Sequence, residues 1–254
     1  MSLQLYRVEY QNRISYAVLN NDEFFFVDPS DQNQPLHVGR SAPKAECRLL
    51  NPTQPSKIIG VGLNYRDHAE ERKKPIPAEP LLFLKPPSAL LLPGEAIRLP
   101  ESSQRVDPEG ELAVVIGDVA SKLSSPEEAT RCIFGYSCFN DVTARDLQDK
   151  DVQFTRAKGF DTFAPYGPCV ALGLDASDLA ITTRVNGQVR QSSRTSQLIF
   201  SPEHLIWYIS QIMTLMPGDV ISTGTPSGIA PIQPGDMVEI EIEGIGILHN
   251  VVER

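Results

Sequence analysis

The sequence predicts a mainly β protein, a mixed β-sandwich or roll with a small β-rich unit in front of it. From residue 58 onward, short apolar runs recur between turn signals, and few segments show helical spacing. Strands and helices do not alternate regularly, which argues against a doubly wound α/β sheet. Hydrophobic residues make up 41% of the 254 positions, so the chain has enough apolar material for a sizeable core.

The N-terminal part of the chain is predicted to form three short strands. Its apolar and aromatic residues cluster at 3–8, 14–19 and 24–27. Residues 51–56 then contain two prolines and no aliphatic or aromatic side chain, which is typical of a linker. We therefore predict a small β-rich domain over residues 1–52 and a larger domain over residues 57–254.

A short strand and a helix follow the predicted linker. Residues 58–62 are apolar, as in a buried strand, and residues 63–72 are rich in helix-forming side chains. On such a helix His68 and Glu71 lie three residues apart on one face, within reach of each other. A histidine beside a carboxylate is a poised general base, because the carboxylate fixes the imidazole tautomer and raises its basicity. A surface helix with a chance His/Glu pair is the alternative.

Two acidic residues open the strongly apolar run at 112–117. Side chains alternate across a strand, so Glu109 and Glu111 project from one face while Leu112 packs on the other. Two carboxylates held that close favour either a bound cation or the uptake of a proton. The alternative is a solvated strand edge with both charges in water.

A third carboxylate stands at the end of the strand predicted over 133–139. Together with the two glutamates, Asp141 offers oxygen ligands of the kind preferred by Mg²⁺, Mn²⁺ or Ca²⁺. Further on, Arg145 and Lys158, the latter in a Gly-containing loop, are cations that can hold a substrate carboxylate beside a metal ion. Each of these two cations is equally compatible with a surface charge.

The last third of the chain contains a hairpin, a helix and a Thr/Gly loop. Asn186-Gly187 between two strand-like runs is the signal of a type I′ hairpin. Ser201-Pro202 opens a segment whose apolar residues recur at helical spacing. The loop at 223–228 can bring hydroxyls and open backbone amides near a ligand, since glycine permits close approach, or it can be only a tight turn.

Charge and cysteine usage exclude several classes of function. The formal net charge of -9 argues against a nucleic acid or an anionic membrane surface as a partner. The sequence shows no leader-like segment and no apolar run near the ~20 residues of a membrane span, so we expect a cytoplasmic protein. The four cysteines and four histidines have no metal-binding spacing, which favours reduced thiols and argues against zinc.

Seven short motifs follow one another over residues 57–254. They are Gly62-Leu63-Asn64-Tyr65-x-x-His68, Phe83-Leu84-Lys85-Pro86, Asp107-x-Glu109-x-Glu111-Leu112, Asn140-Asp141-Val142-Thr143-Ala144-Arg145-Asp146, Lys158-Gly159-Phe160-Asp161, Val185-Asn186-Gly187 and Thr223-Gly224-Thr225-Pro226-x-Gly228. In this order the set resembles the fumarylacetoacetate hydrolase superfamily, and it is highly specific although each motif alone is weak. The N-terminal unit resembles the small variable domain of many bacterial members.

The resemblance implies a mixed β-sandwich roll, usually in a homodimer, with Mg²⁺ or Mn²⁺ at the site. The implied metal ligands are Glu109, Glu111 and Asp141. Residues that match positions in contact with a small 2-oxo-acid substrate are Lys158, Arg145, Gln148 and Thr225. In some members a His and a Glu form a helical lid on substrate binding, and the matching residues here are His68 and Glu71. Of this set, His68, Glu71 and Lys158 are the predicted catalytic residues.

The reaction that the resemblance implies is hydrolytic C–C cleavage of a β-diketo acid such as an acylpyruvate or fumarylpyruvate. The metal would stabilise the enolate, and His68 paired with Glu71 would activate the attacking water. The alternative is an isomerase or decarboxylase of unsaturated dicarboxylates from aromatic catabolism, such as 2-hydroxyhepta-2,4-diene-1,7-dioate, or of oxaloacetate. A noncatalytic binding protein is disfavoured because both His68 and Glu71 are present, and a covalent serine mechanism because no Gly-x-Ser-x-Gly motif occurs.

Overall fold

Two mixed β-sheets pack face to face in the computed structural model, which describes residues 2–28 and 36–254. The smaller, five-stranded sheet lies against strands at the centre of the larger one, and the main hydrophobic core fills the space between them. This arrangement confirms the predicted mixed β-sandwich. Several neighbouring strands are parallel and the remainder are antiparallel, so neither sheet is of a single type.

The larger sheet has twelve strands within the described residues and follows the order β4-β3-β2-β1-β14-β12-β11-β17-β6-β7, with β5 on β1 and β8 on β14. Its strands are β1 (Leu3–Tyr10), β2 (Arg13–Asn20), β3 (Glu23–Asp28), β4 (Leu36–Pro43), β5 (Arg48–Leu49), β6 (Ile58–Gly62), β7 (Leu81–Lys85), β8 (Leu90–Leu91), β11 (Gly110–Ile116), β12 (Ile133–Asn140), β14 (Ala164–Leu172) and β17 (Val220–Ser222).

The smaller sheet follows the order β16-β15-β18-β19-β9, and a separate ribbon pairs β10 with β13. These strands are β9 (Ala96–Arg98), β10 (Val106–Asp107), β13 (Thr143–Ala144), β15 (Ala180–Val185), β16 (Gln188–Arg194), β18 (Met237–Ile242) and β19 (Gly246–Glu253). The predicted hairpin is confirmed. Asn186 and Gly187 have φ values of 54° and 74°, as a type I′ turn requires.

The helices are short, and the longest is the one predicted from Ser201-Pro202. They are α1 (Arg66–Glu71), α2 (Pro126–Ala129), α3 (Arg145–Lys150), α4 (Thr155–Lys158) and α5 (Pro202–Ile212). The Ser201 side chain accepts a hydrogen bond from the His204 amide at the start of α5, which satisfies a backbone donor at the helix end. Among the described residues, no helix is long and apolar enough to cross a membrane.

The N-terminal strands are hydrogen bonded into the larger sheet, since β1 pairs with β14. The predicted linker at 51–56 is partly buried and well bonded. Asn51 donates from its amide to the backbone carbonyls of Leu91 and Tyr166, and the Thr53 hydroxyl donates to Gly218 O. The segment is therefore bonded to the larger predicted domain, and the division of the chain at this point stays a prediction.

Strands β11 and β12 form the centre of the larger sheet and run antiparallel, with Gly110 opposite Asn140. Every residue of β11 is buried because both faces of the sheet are covered. Leu112 packs into the main core, whereas Ala113 on the opposite face belongs to a second hydrophobic cluster. The register places the beginning of β11 beside the ends of β12, β17 and β6. Side chains in the segments next to these strand ends therefore meet at one edge of the sheet.

Candidate metal and active site

Three carboxylates come together at this edge of the sheet. Glu109 immediately precedes β11, Glu111 is its second residue, and Asp141 immediately follows β12. The backbone holds them in register, because Asp141 N donates to Glu109 O at 2.9 Å and Glu109 N donates to the Asn140 side chain at 2.9 Å. One oxygen from each carboxylate lies within 4.8 Å of the others. The structure thus brings the three predicted metal ligands together.

The acidic triad, Glu109, Glu111 and Asp141, is buried. Its members are only 4%, 2% and 1% exposed, which rules out the solvated strand edge that the sequence left open. Isolated carboxylates at such positions would be very costly, so the site has to supply cations or protons.

Three basic side chains surround the triad. Lys85 Nζ lies 2.6 Å from Asp141 Oδ1, and Lys158 Nζ is bonded to Asp141 Oδ2 and to Glu109 Oε2, the latter at 2.9 Å. Arg145 is bonded to Glu109 Oε1 through Nη2 and to Asp107 Oδ2 through Nε at 2.9 Å. Lys158 is the last residue of α4, followed by Gly159, and does not lie in a loop as predicted. These cations neutralise most of the buried negative charge.

The environment drives the two glutamates to different protonation states. Burial and the nearby Asp141 and Glu109 carboxylates raise the pKa of Glu111 to about 8. Burial also opposes the ionisation of Glu109, but Lys158 and Arg145 outweigh it and hold the pKa of Glu109 below its ordinary 4.5. Two carboxyl groups with pKa values pushed apart in one cavity are typical of sites that handle protons or cations.

Two further partners of Glu111 come from the last residue of β17 and from the loop that follows it. Ser222 Oγ donates to Glu111 Oε2 at 2.5 Å, and Gly224 N donates to the same oxygen at 2.8 Å. Both bonds fall on Oε2, so Oε1 is the oxygen that a ligand can use. A donor set of three carboxylates with no soft ligand fits a hard divalent cation such as Mg²⁺ or Mn²⁺.

Helix α1 supplies the predicted His/Glu pair. His68 Nδ1 lies 3.0 Å from Glu71 Oε2, and Glu71 Oε1 accepts a hydrogen bond from Gly228 N at 3.0 Å. The preceding Asp67 accepts from Ser193 Oγ of β16 at 2.6 Å. These contacts tie α1 to β16 and to the loop at 223–228, and His68 is only 7% exposed.

A cavity of about 150 Å³ links the triad to helix α1. It is lined by eight of the nine predicted site residues: His68, Glu109, Glu111, Asp141, Arg145, Gln148, Lys158 and Thr225. Glu71 does not line the cavity, but it is hydrogen bonded to His68, which does. Arg72 and Lys74 stand at its rim and add positive charge.

A larger cavity of about 480 Å³ lies between the start of β12, the segment after β14 and the start of α5. Its lining includes Asp175 and Glu203 but no lysine, arginine or histidine. An anionic substrate therefore fits the smaller cavity better.

Several side chains that build the site have no role predicted from the sequence: Lys85, Asp107, Gln191 and Ser222. Lys85 and Asp107 both fall inside motifs of the family resemblance. Each is a charged residue next to a buried apolar run, and this pattern could have indicated a role at the site. Ser222 and Gln191 carry no such signal, because their partners lie 111 and 81 residues away in the sequence.

Comparison with known proteins gives consistent matches. The family model for the fumarylacetoacetate (FAA) hydrolase C-terminal domain matches residues 57–253. The chain is 43% identical over 223 residues to the mitochondrial oxaloacetate tautomerase FAHD2A of Bos taurus, covering 83% of this chain and 71% of that protein.

Two solved structures share the whole fold. The 5-carboxymethyl-2-hydroxymuconate delta-isomerase from Mycobacterium smegmatis is 43% identical with a TM-score of 0.92, covering 99% of this chain and 100% of that one. The 2-hydroxyhepta-2,4-diene-1,7-dioate isomerase from Mycobacterium marinum is 42% identical with a TM-score of 0.91, covering 99% and 98%.

Proposed function

The chain is an enzyme that belongs to the fumarylacetoacetate hydrolase family, and from that premise we propose that it isomerises a small 2-oxo dicarboxylic acid through its enol. The observation that carries the proposal is the placement of His68 and the acidic triad around one cavity. Enolisation needs a base near the carbon that loses a proton and a positive centre near the oxygen that gains charge.

The acidic triad is the proposed metal site. Mg²⁺ or Mn²⁺ held by Glu109, Glu111 and Asp141 would polarise the 2-oxo group and stabilise negative charge on its oxygen. The three buried carboxylates and the free Oε1 of Glu111 support this assignment.

Arg145, Lys158 and Gln148 are the proposed contacts for the substrate carboxylate. Of the five N–H donors of Arg145, three are bonded to Asp107, Glu109 and Gln148, which leaves two. Of the three donors of Lys158, two are bonded to the triad, which leaves one. The remaining donors suit an anionic group that enters beside the triad.

His68 is the proposed proton carrier. Its Nδ1 is bonded to Glu71, so Nε2 is the atom that exchanges a proton with substrate. Nε2 would take a proton from the carbon next to the 2-oxo group and later return one to the isomerised skeleton. This transfer moves a proton between a substrate carbon and the imidazole, so it needs no attacking water.

Hydrolytic cleavage of a β-diketo acid is the second candidate. The observation in its favour is the His68–Glu71 pair itself, since a histidine paired with a carboxylate also activates water well. Hydrolysis requires room for a water molecule at the reacting carbonyl. Opening of α1 would provide it, so the position of this helix is the physical difference between the two candidates.

The test is a side-by-side assay of the purified protein with excess Mg²⁺ and with a chelator. The substrates are enol oxaloacetate, a 2-hydroxy-dienoate dicarboxylate and an acylpyruvate. We expect Mg²⁺-dependent isomerisation of one of the first two, seen as a change in ultraviolet absorbance. Faster release of pyruvate from the acylpyruvate would support hydrolysis instead, and no turnover of any substrate would contradict both candidates.

A homodimer located in the cytoplasm completes the proposal. Four free cysteines, three of them buried, suit a reducing compartment. Light scattering on the purified protein would check the assembly, and a monomer at micromolar concentration would contradict the dimer.

A further inference from the structure

Gln191 is a buried polar residue on β16, with 1% of its surface exposed. It lies on the second strand of the Asn186-Gly187 hairpin, and none of the predicted site residues belongs to this strand. Its amide nevertheless makes three hydrogen bonds, all to the site. Oε1 accepts from Gly110 N at 2.9 Å, and Nε2 donates to Thr225 Oγ1 and to Pro226 O, both at 2.8 Å.

The orientation of this amide is fixed by its backbone partners. A backbone N–H can only donate and a carbonyl can only accept, so Oε1 must face Gly110 and Nε2 must face Pro226. The reverse orientation would leave Gly110 N–H against an NH₂ group and Pro226 O against a carbonyl. The group that faces Thr225 Oγ1 is therefore the Nε2 donor and cannot be the Oε1 acceptor.

The same bonds determine what the Thr225 hydroxyl can do. Thr225 Oγ1 accepts from Gln191 and donates its only proton to Gly110 O at 3.0 Å. Gly110, Gln191 and Thr225 thus form a closed ring of hydrogen bonds. Thr225 lines the cavity, and its hydroxyl can offer a ligand there only its remaining lone pair, as a hydrogen-bond acceptor.

Close packing supports the ring. A Cβ added at Gly110 would lie 2.1 Å from Thr183 Oγ1 and 3.4 Å from Gln191 Oε1. The backbone between Glu109 and Glu111 therefore lies directly against β15 and β16. Little slack remains for the two acidic residues to shift relative to the loop that carries Thr225.

We infer that Gln191 is a positioning residue: its amide sets the backbone between Glu109 and Glu111 and keeps Thr225 as a hydrogen-bond acceptor toward the cavity. An acceptor at this point suits a protonated oxygen, such as the enol hydroxyl of a substrate, and disfavours a carboxylate oxygen. The role toward substrate rests on the proposed function, whereas the role toward the triad does not.

The test measures Mn²⁺ binding to the metal-free protein by electron paramagnetic resonance, which requires no turnover. Gln191→Met removes all three bonds at similar side-chain length, and we expect it to weaken Mn²⁺ binding about tenfold or more, as for other groups that orient metal ligands. Gln191→Glu keeps the acceptor for Gly110 N. We therefore expect its Mn²⁺ affinity to stay within a few-fold of the unmodified protein, with an increase in KM or a fall in kcat once a substrate is known.

Two controls isolate the role. Asn250 is 2% exposed, its amide donates to Leu92 O and Glu95 O, and it does not line the cavity that contains the triad. Ser193 lies two residues from Gln191 and bonds Asp67 instead of the triad. Asn250→Leu and Ser193→Ala should leave Mn²⁺ affinity unchanged.

Thermal unfolding identifies variants that do not fold. Mn²⁺ affinity in folded Gln191→Met equal to that of the unmodified protein would overturn the inference, as would an equal loss in Asn250→Leu. If Gln191→Met does not fold, a tenfold loss of Mn²⁺ affinity in Gln191→Glu would overturn it instead. Absence of turnover with every substrate would contradict the proposed function and leave the Mn²⁺ result valid.

Discussion

Lys158 Nζ lies 2.9 Å from Glu109 Oε2 in a buried ion pair, and the same ammonium group is bonded to Asp141. A carboxylate oxygen engaged by an ammonium is less available to a metal ion. The lysine therefore acts as an internal counterion of the acidic triad when no metal is bound.

Lys158→Met should increase Mg²⁺ affinity by roughly tenfold, because a charge-assisted bond to the ligand oxygens no longer competes with the metal. The metal-free variant should also be less stable, since it keeps the carboxylates and loses a cation. Calorimetric titration measures the affinity. Lys57→Met is the matched control, because Lys57 pairs with Asp219 outside the cavity. Weaker Mg²⁺ binding by Lys158→Met would contradict the competition.

Asp141→Asn should abolish Mg²⁺ binding and destabilise the protein by about 3–5 kcal/mol, because Lys85 and Lys158 lose their shared buried partner. Titration and denaturant unfolding measure the two effects. Asp219→Asn is the control, since Asp219 is also buried and paired with a lysine. It should lose stability and keep its Mg²⁺ affinity. Normal metal binding in Asp141→Asn would remove this residue from the site.

Mg²⁺ affinity should increase with pH. Burial and the carboxylates of Asp141 and Glu109 raise the pKa of Glu111 to about 8, so at pH 7 the metal-free protein holds a proton that the metal must displace. Between pH 6 and 8 we expect close to tenfold tighter binding per pH unit, levelling off above. Calorimetric titration of Mg²⁺ in two buffers of different ionisation heat should reveal the proton that is released on binding. The Glu111→Gln variant should release no such proton.

The same group makes the stability of the metal-free protein depend on pH. An acid whose pKa is raised on folding stabilises the fold fully below its ordinary value of 4.5, and this contribution disappears as the pH passes through about 8. The metal-free melting temperature should therefore fall between about pH 5 and pH 8. A melting temperature that rises over this interval would contradict the raised pKa.

His68→Gln should lower kcat by about 10²- to 10⁴-fold, the usual contribution of a general base, and leave Mn²⁺ affinity unchanged. Glu71→Gln should have a smaller effect, since it weakens the orientation of the imidazole and keeps the ring. His204→Gln on α5 is the control histidine, because it packs against Phe200 and Trp207. Full activity in His68→Gln would exclude this residue as the base.

Local sequence patterns were enough to predict most of the fold. Alternation and turn residues located the hairpin at Asn186-Gly187, and helical spacing located α5. The His68–Glu71 contact also follows from local geometry, since helix neighbours three residues apart always lie close. Contacts of this kind can be predicted without knowing which strands pair.

The charge arrangement at the site depends on strand pairing and was only partly predictable. Glu109 and Asp141 meet because β11 and β12 are antiparallel in one particular register, which no local pattern specifies. The motif resemblance suggested that they meet, but it did not reveal that Lys85 is fully buried against Asp141. Nor did it reveal Gln191, because an ordinary hairpin glutamine has no distinguishing sequence signal.

The pairing of β1 with β14 gives the N-terminal strands a protective role. All nine residues of β14 are buried, and β1 covers one of its edges from Leu3 opposite Leu172 to Leu5 opposite Val170. Without β1, an apolar strand next to β12 would present unpaired N–H and C=O groups, which is a template for aggregation. The N-terminal strands thus protect this edge of β14 from pairing with another chain.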